Sequence, residues 1–219
     1  MSTVKRTEKE NTIINAAEKV FFQKGFSTAT MEEVAKAAAM SKPSLYFYFK
    51  NKEELYMAIT YRAFQRLTDI YYQIIRETSQ LTGAGRVLKI LEGYMSFSEQ
   101  HFFYHEALFD YLSLVRNISK ATGAEQEKVK SIYFQRIQDI HNLPVSIVVK
   151  EIENGKADGS ITNPEPAETI YLTAWAIVAG YIKLSVYGGG DRNSLHHVAL
   201  KEWKAYIIKI TKNLLNQQS

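Results

Sequence analysis

Residues 30–53 read "TMEEVAKAAAMSKPSLYFYFKNKE". Thr30 followed three residues later by Glu33 is a capping box: the threonine hydroxyl accepts from the backbone N–H of Glu33, and the glutamate reaches back. Val34, Ala35 and Ala38 then form the inner stripe of a short helix. Ser41 is an N-cap for the next helix, with Pro43 tolerated in its first turn. Four rings stand in a row on that helix, Tyr46 to Phe49. Successive helical side chains point about 100° apart, so the rings cannot all be buried. Leu45 and Phe49 share one face and are assigned to the core. Tyr46 and Tyr48 are left outward, beside Lys42, Lys50 and Lys52. Phe47 either touches a ligand surface or packs against the first helix. From Lys36 to Lys52 there are four lysines and no acid. Two short helices joined by a tight turn, with an aromatic and cationic outer face, have helix-turn-helix dimensions and the footprint of a nucleic-acid binder.

Outward from this pair the whole chain reads as helix. There are only 4 prolines among 219 residues and no sustained alternation. Ile13, Ala17, Val20 and Phe21 mark a first amphipathic helix that Gly25 ends. Asn51 with Glu54 starts a fourth, running to about Thr78. "TGAG" (82–85) precedes a fifth with Val87, Leu91, Tyr94 and Met95 on one face, and a sixth covers about 103–117. A long seventh is expected over 124–154, with Val129, Ile132, Tyr133, Ile137 and Ile140 inward, a kink at Pro144, and Gly155 and Gly159 ending it. Asn163-Pro164 caps an eighth. "GGGDRNS" (188–194) is a loop before a ninth that ends near Leu215. The expected fold is therefore all-α, about nine helices: a three-helix N-terminal domain over 1–50, and a larger helical domain over 51–219.

Composition narrows the function. Hydrophobic residues are 46% and charged residues 23%, the balance of a globular chain. The net charge of +4 identifies nothing by itself; its clustering does. With no cysteine, disulfides, thiolate zinc sites and cysteine nucleophiles are excluded. No signal peptide is visible, which fits a cytoplasmic protein. The most apolar stretch, 170–187, carries Lys183 and two hydroxyl residues, and is read as a buried helix rather than a membrane span. No glycine-rich phosphate loop, nucleophile elbow or carboxylate pair appears, so no enzyme and no cofactor are expected. His101 and His105 have i, i+4 spacing but no third ligand nearby, and they are assigned to a polar helix end rather than to a metal.

The text from 13 to 59, "IINAAEKVFFQKGFSTATMEEVAKAAAMSKPSLYFYFKNKEELYMAI", resembles the tetracycline-repressor (TetR) family of bacterial regulators. It departs from the pattern where Ala39 stands in place of the usual turn glycine, a position where a Cβ is disfavoured at positive φ. The resemblance implies DNA roles for Thr30, Lys42, Pro43, Ser44, Tyr46, Tyr48 and Lys52. Lys42, Pro43 and Ser44, at the entering end of the helix, are assigned to bases. Thr30, Tyr48 and Lys52 are assigned to phosphates, with Lys52 expected to be exposed.

The resemblance also implies a small-molecule effector in a cavity of the second domain. Bulky rings with polar tips suit such a cavity. Tyr72, Tyr94, Phe97, Phe109, Tyr133, Ile137, Trp175 and Val178 are its expected lining. It further implies a homodimer through the eighth and ninth helices, on Ile170, Ala174, Ile177 and Tyr181 of the former and Leu200, Trp203, Ile207 and Ile210 of the latter. The implied protein is a repressor of a pseudo-palindromic double-stranded operator; a DNA-binding protein without an effector is the alternative.

Overall fold

The computed structural model describes residues 3–187, 194–195 and 197–216; most of the expected loop 188–194 lies outside them. The helices are α1 (Thr3–Lys24), α2 (Met31–Ala37), α3 (Lys42–Tyr48), α4 (Lys52–Glu77), α5 (Gly83–Gln100), α6 (Phe102–Arg116), α7 (Gly123–Lys130), α8 (Ile132–Ile140), α9 (Leu143–Ala157), α10 (Ala167–Tyr187) and α11 (Leu200–Leu215). A 3-10 turn at Ile118–Lys120 and a two-residue antiparallel pair, β1 (Ser194–Leu195) with β2 (Val198–Ala199), complete the described elements. The all-α expectation holds. Two compact units emerge. One takes the chain up to Gln65 with Phe103–Ile140; the other takes Arg66–Phe102 and the chain from His141 on.

In the first unit the local signals act as read. Gly25, at φ 78°, ends α1. Both halves of the Thr30–Glu33 capping box are present. Ser41 accepts from the backbone N–H of Ser44. Between α2 and α3, Ala39 takes φ 52°. The Ala39 N–H donates to Lys36 O and the Met40 N–H to Ala35 O, so the turn closes as a Schellman motif with a methyl where glycine is favoured. Ile13, Ala17, Phe21, Val34, Leu45 and Phe49 are all buried, which locks α1, α2 and α3 around one core. The Phe49 ring, just past α3, stacks on Tyr133 of α8 at 6.0 Å.

The expected long seventh helix is corrected. It divides into α7, α8 and α9. Ser131 is extended (φ −65°, ψ 140°) and breaks the first joint, and Asn142 precedes the second. Each break resets the helical phase, so Ile132, expected inward, is exposed while Tyr133 and Ile137 remain buried. Pro144 sits in the first turn of α9 rather than at a kink. Gly155 does not end α9; Gly159, at φ 76°, follows its end.

In the second unit α5 packs on α9 at a glycine pair. A Cβ on Gly83 would fall within 3.0 Å of the backbone of Gly155. The start of α5 is satisfied from the end of α9: Gly83 N–H donates to Asp158 Oδ2 (2.7 Å) and Ala84 N–H to Ser160 Oγ (3.0 Å). Hydrogen bonds from the Ser160 side chain and from the backbone N–H groups of Gly83 and Ser160 hold the Asp158 carboxyl below the usual carboxylate range. Arg86 pairs with the buried Glu151 of α9. Asn163 is buried four residues before α10 begins and donates to Leu214 O of α11 at 2.7 Å, so it braces a turn instead of capping the helix as expected.

Candidate nucleic-acid interface and effector cavity

The outward face of α3 is built by its phase. Leu45 and Phe49 point inward, which leaves Lys42, Pro43, Ser44, Tyr46 and Phe47 exposed. Pro43, Ser44 and Phe47 lie at i, i+1 and i+4, so they share one face. Phe47, the ambiguous ring, is 68% exposed. Tyr48 is half-buried and meets Phe47 edge to face at 5.2 Å. A notch beside this face is lined by Met40, Pro43, Ser44, Phe47, Tyr48 and Lys9 of α1. Lys9 was missed in the sequence because it precedes the motif; the basic run Lys5, Arg6, Lys9 was its signal. Lys42 lies 3.8 Å from Glu32, both well exposed, a pairing that costs little to break. Thr30 is exposed, its hydroxyl engaged in the cap.

Lys52 requires correction. Its ammonium donates to Phe26 O (2.8 Å), Ser27 O (3.1 Å) and Ala29 O (3.0 Å) and lies over the Phe26 ring. An ammonium has three donors, and all three are spent on the turn between α1 and α2. Lys52 is half-buried and ties that turn down rather than standing free as expected.

The second unit holds a cavity of about 40 Å³ lined by residues of α4, α5, α9, α10 and α11. Tyr94, Trp175 and Val178 line it as expected, and Trp175 Nε1 donates to Tyr94 OH at 3.3 Å. Burial pushes the Tyr94 phenol up to about 12 and those of Tyr71 and Tyr171 upward too, so all three stay neutral. No charged side chain is among the lining residues. Tyr72, Phe97, Phe109, Tyr133 and Ile137 do not line it. Tyr72 points to solvent, one residue and about 100° away from the lining Tyr71. Phe109, Tyr133 and Ile137 belong to the first unit.

The residues expected to pair fall into two groups. Ile170, Ala174, Tyr181 and Ile207 are buried within their own chain, and the first two line the cavity. Ile177, Leu200, Trp203 and Ile210 are half-buried, with Trp203 edge-on to Tyr181 at 5.0 Å. The exposed face of α10 is a different stripe: Leu172 (56%), Ala176, Gly180 and Leu184 (51%). By length and hydropathy α10 is also apolar enough over Ala167–Val186 to cross a membrane, yet its other faces pack on α5, α9 and α11. His101 caps the end of α5 whereas His105 is buried on α6, so a helix break separates them. Among the described residues no cluster of three or more metal-ligating side chains occurs.

The family signature described as bacterial regulatory proteins, tetR family, matches residues 13–59, the segment that builds α3 and its outward face. Residues 13–59 are a tetR-family segment. It is 28% identical over 180 residues to the uncharacterized HTH-type transcriptional regulator YhgD of Bacillus subtilis, covering 81% of this chain and 82% of that one. Over 94 residues it is 34% identical to the HTH-type transcriptional activator FasR of Mycolicibacterium smegmatis, spanning 43% of this chain and 42% of FasR. The fold is shared with the crystal structure of the transcriptional regulator FadR from Bacillus subtilis in complex with stearoyl-CoA: TM-score 0.66, 16% identity, 95% of this chain and 98% of that one covered. With that tetR-family segment, the chain is a helix-turn-helix, DNA-binding transcriptional regulator.

Proposed function

We propose that the chain is a cytoplasmic, ligand-responsive repressor that binds a pseudo-palindromic operator as a homodimer. Residues 1–50 read DNA and 51–219 sense and pair. The observation that carries the reading is the exposed face of α3, where Lys42, Pro43, Ser44 and Tyr46 stand clear of the core. Side chains at the start of a recognition helix reach base edges, and a two-fold dimer places two such helices about 34–36 Å apart in successive major grooves. The pairing surface is the Leu172–Ala176–Gly180–Leu184 stripe. Small residues at its centre permit close approach of two α10 helices, and a second copy covers apolar surface that water otherwise wets. Activation is the second reading, and the similarity to the activator FasR favours it.

Selection of bound duplexes from a random pool tests the reading. It should return an inverted repeat; recovery of no DNA, or of a motif without two-fold symmetry, overturns it. Against the selected site, Tyr46→Ala is expected to weaken binding at least about fivefold, a hydrogen-bond-sized loss, with no change in Tm. Lys42→Ala should lower the salt slope by about 1. Lys52→Ala should leave that slope unchanged and instead lower Tm. A slope that falls for Lys52→Ala and not for Lys42→Ala would reverse the two assignments.

We infer further that the effector is uncharged and largely apolar, because the cavity offers phenol and indole groups and no ion. FadR holds stearoyl-CoA; the lining here matches an apolar chain in character and offers nothing to phosphates, but at about 40 Å³ the cavity has to widen to admit one. Binding shifts the population toward a state whose recognition helices no longer fit both half-sites. In Trp203→Phe, Trp175 is the sole indole. An apolar compound that releases DNA should quench or shift its emission, with a coupling of about 1–3 kcal/mol between the two sites. Release of DNA with the Trp175 emission untouched would place the effector elsewhere.

A further inference from the structure

We propose that Phe47 reads the C5-methyl group of a thymine in each half-site of the operator. The proposal rests on α3 being the recognition helix and goes beyond it by naming the base contact that one residue selects. Phe47 is 68% exposed, whereas Leu45 and Phe49 on either side are fully buried. A seven-residue helix that buries Leu45, with Phe49 buried just past its end, has no packing use for a third large side chain on the opposite side. Water therefore wets a phenyl ring on the face that carries Pro43 and Ser44.

The ring is also held. Tyr48 meets it edge to face at 5.2 Å and 85°, and both rings, with Pro43 and Ser44, line the notch whose rim carries Lys9. Lys9 of α1 lines that notch and supplies a charge for a phosphate beside the face, which leaves the apolar ring to the groove floor. A phenyl ring has no donor or acceptor, so a phosphate gains nothing from it. Among the base edges of the major groove, the one apolar group is the thymine methyl; cytosine presents a bare C5–H at the same place. Pro43, on the same face, has no backbone N–H and extends the apolar surface toward the same methyl.

The test uses the full-length protein and the operator recovered by selection. Each thymine is replaced in turn by deoxyuridine, which removes the methyl and leaves pairing unchanged. One thymine per half-site is expected to cost wild type about fourfold in affinity, and the symmetric pair about fifteenfold, the scale of one and two buried methyl groups. Phe47→Ala should bind the thymine and uracil operators equally, with an unchanged Tm. Replacing that T·A pair by C·G should weaken wild type, and 5-methylcytosine there should restore part of the loss in wild type but not in Phe47→Ala. Wild-type indifference to every deoxyuridine, or an undiminished uracil penalty in Phe47→Ala, overturns the proposal while leaving the recognition-helix reading in place. Recovery of no operator would remove both.

Discussion

Gly180→Glu is expected to yield a folded monomer that has lost roughly 100-fold or more of the operator affinity. The stripe Leu172–Ala176–Gly180–Leu184 is exposed on the single chain, and a Cβ on Gly180 meets no described atom within 4 Å. The substitution is therefore harmless to one chain; replacing a mid-helix glycine even favours α10 by about 0.5–1 kcal/mol. In a dimer paired through this stripe the same glutamate would be buried without a counter-ion, a cost of several kcal/mol. A monomer holds one half-site at a time, so the gain from simultaneous engagement, about 10²–10⁴, disappears. Light scattering at micromolar concentration and a gel shift measure the two effects. A dimeric Gly180→Glu protein, or a monomeric wild type, would show that this stripe is not the pairing surface.

Gly83→Ala is expected to cost about 3 kcal/mol or more and to lower Tm by about 6–12 °C. The added methyl would fall within 3.0 Å of Gly155 N, Gly155 Cα and Asn154 C, all backbone, so α5 and α9 must move apart. That movement also disturbs the hydrogen bonds that the start of α5 donates to Asp158 and Ser160. Gly155→Ala meets mainly the Ile161 side chain, which can turn aside, and should lose roughly half as much. A thermal melt orders the two. Equal losses, or a Gly83→Ala protein that melts within about 2 °C of wild type, would mean that the crossing is looser than it stands.

The helix-turn-helix was legible in the sequence because its determinants are local. The Thr30–Glu33 box, Ser41 before Pro43, and the Leu45–Phe49 spacing each act within one turn of helix. Lys52 was misjudged for the opposite reason. Its three acceptors, Phe26 O, Ser27 O and Ala29 O, lie more than twenty residues upstream and become neighbours only when α1 and α4 close on the same turn. Aromatic richness gave the kind of cavity but not its walls: Tyr71 and Tyr72 look alike in a sequence, and one faces the hollow while the other faces solvent. On α10 two stripes were weighed for the partner, by side-chain size. The stripe expected to pair, Ile170–Ala174–Ile177–Tyr181, is buried within the chain except for the half-buried Ile177, and the exposed stripe holds the smallest group of all at Gly180. A helix apolar on every side carries no amphipathic signal, so its phase is set by the neighbours it meets.

The cavity beside Tyr94 and Trp175 has a consequence in heat. Its volume is about 40 Å³ and its lining is almost wholly aliphatic and aromatic. Hollows of that kind stay dry. A compound that fills it displaces little ordered water and gains dispersion contacts along walls that had none, so its association is exothermic rather than driven by released solvent. Exothermic binding tightens on cooling. If the proposed effector seats there, less of it is needed in the cold than in the warm, and the set point moves with temperature although no part of the protein unfolds.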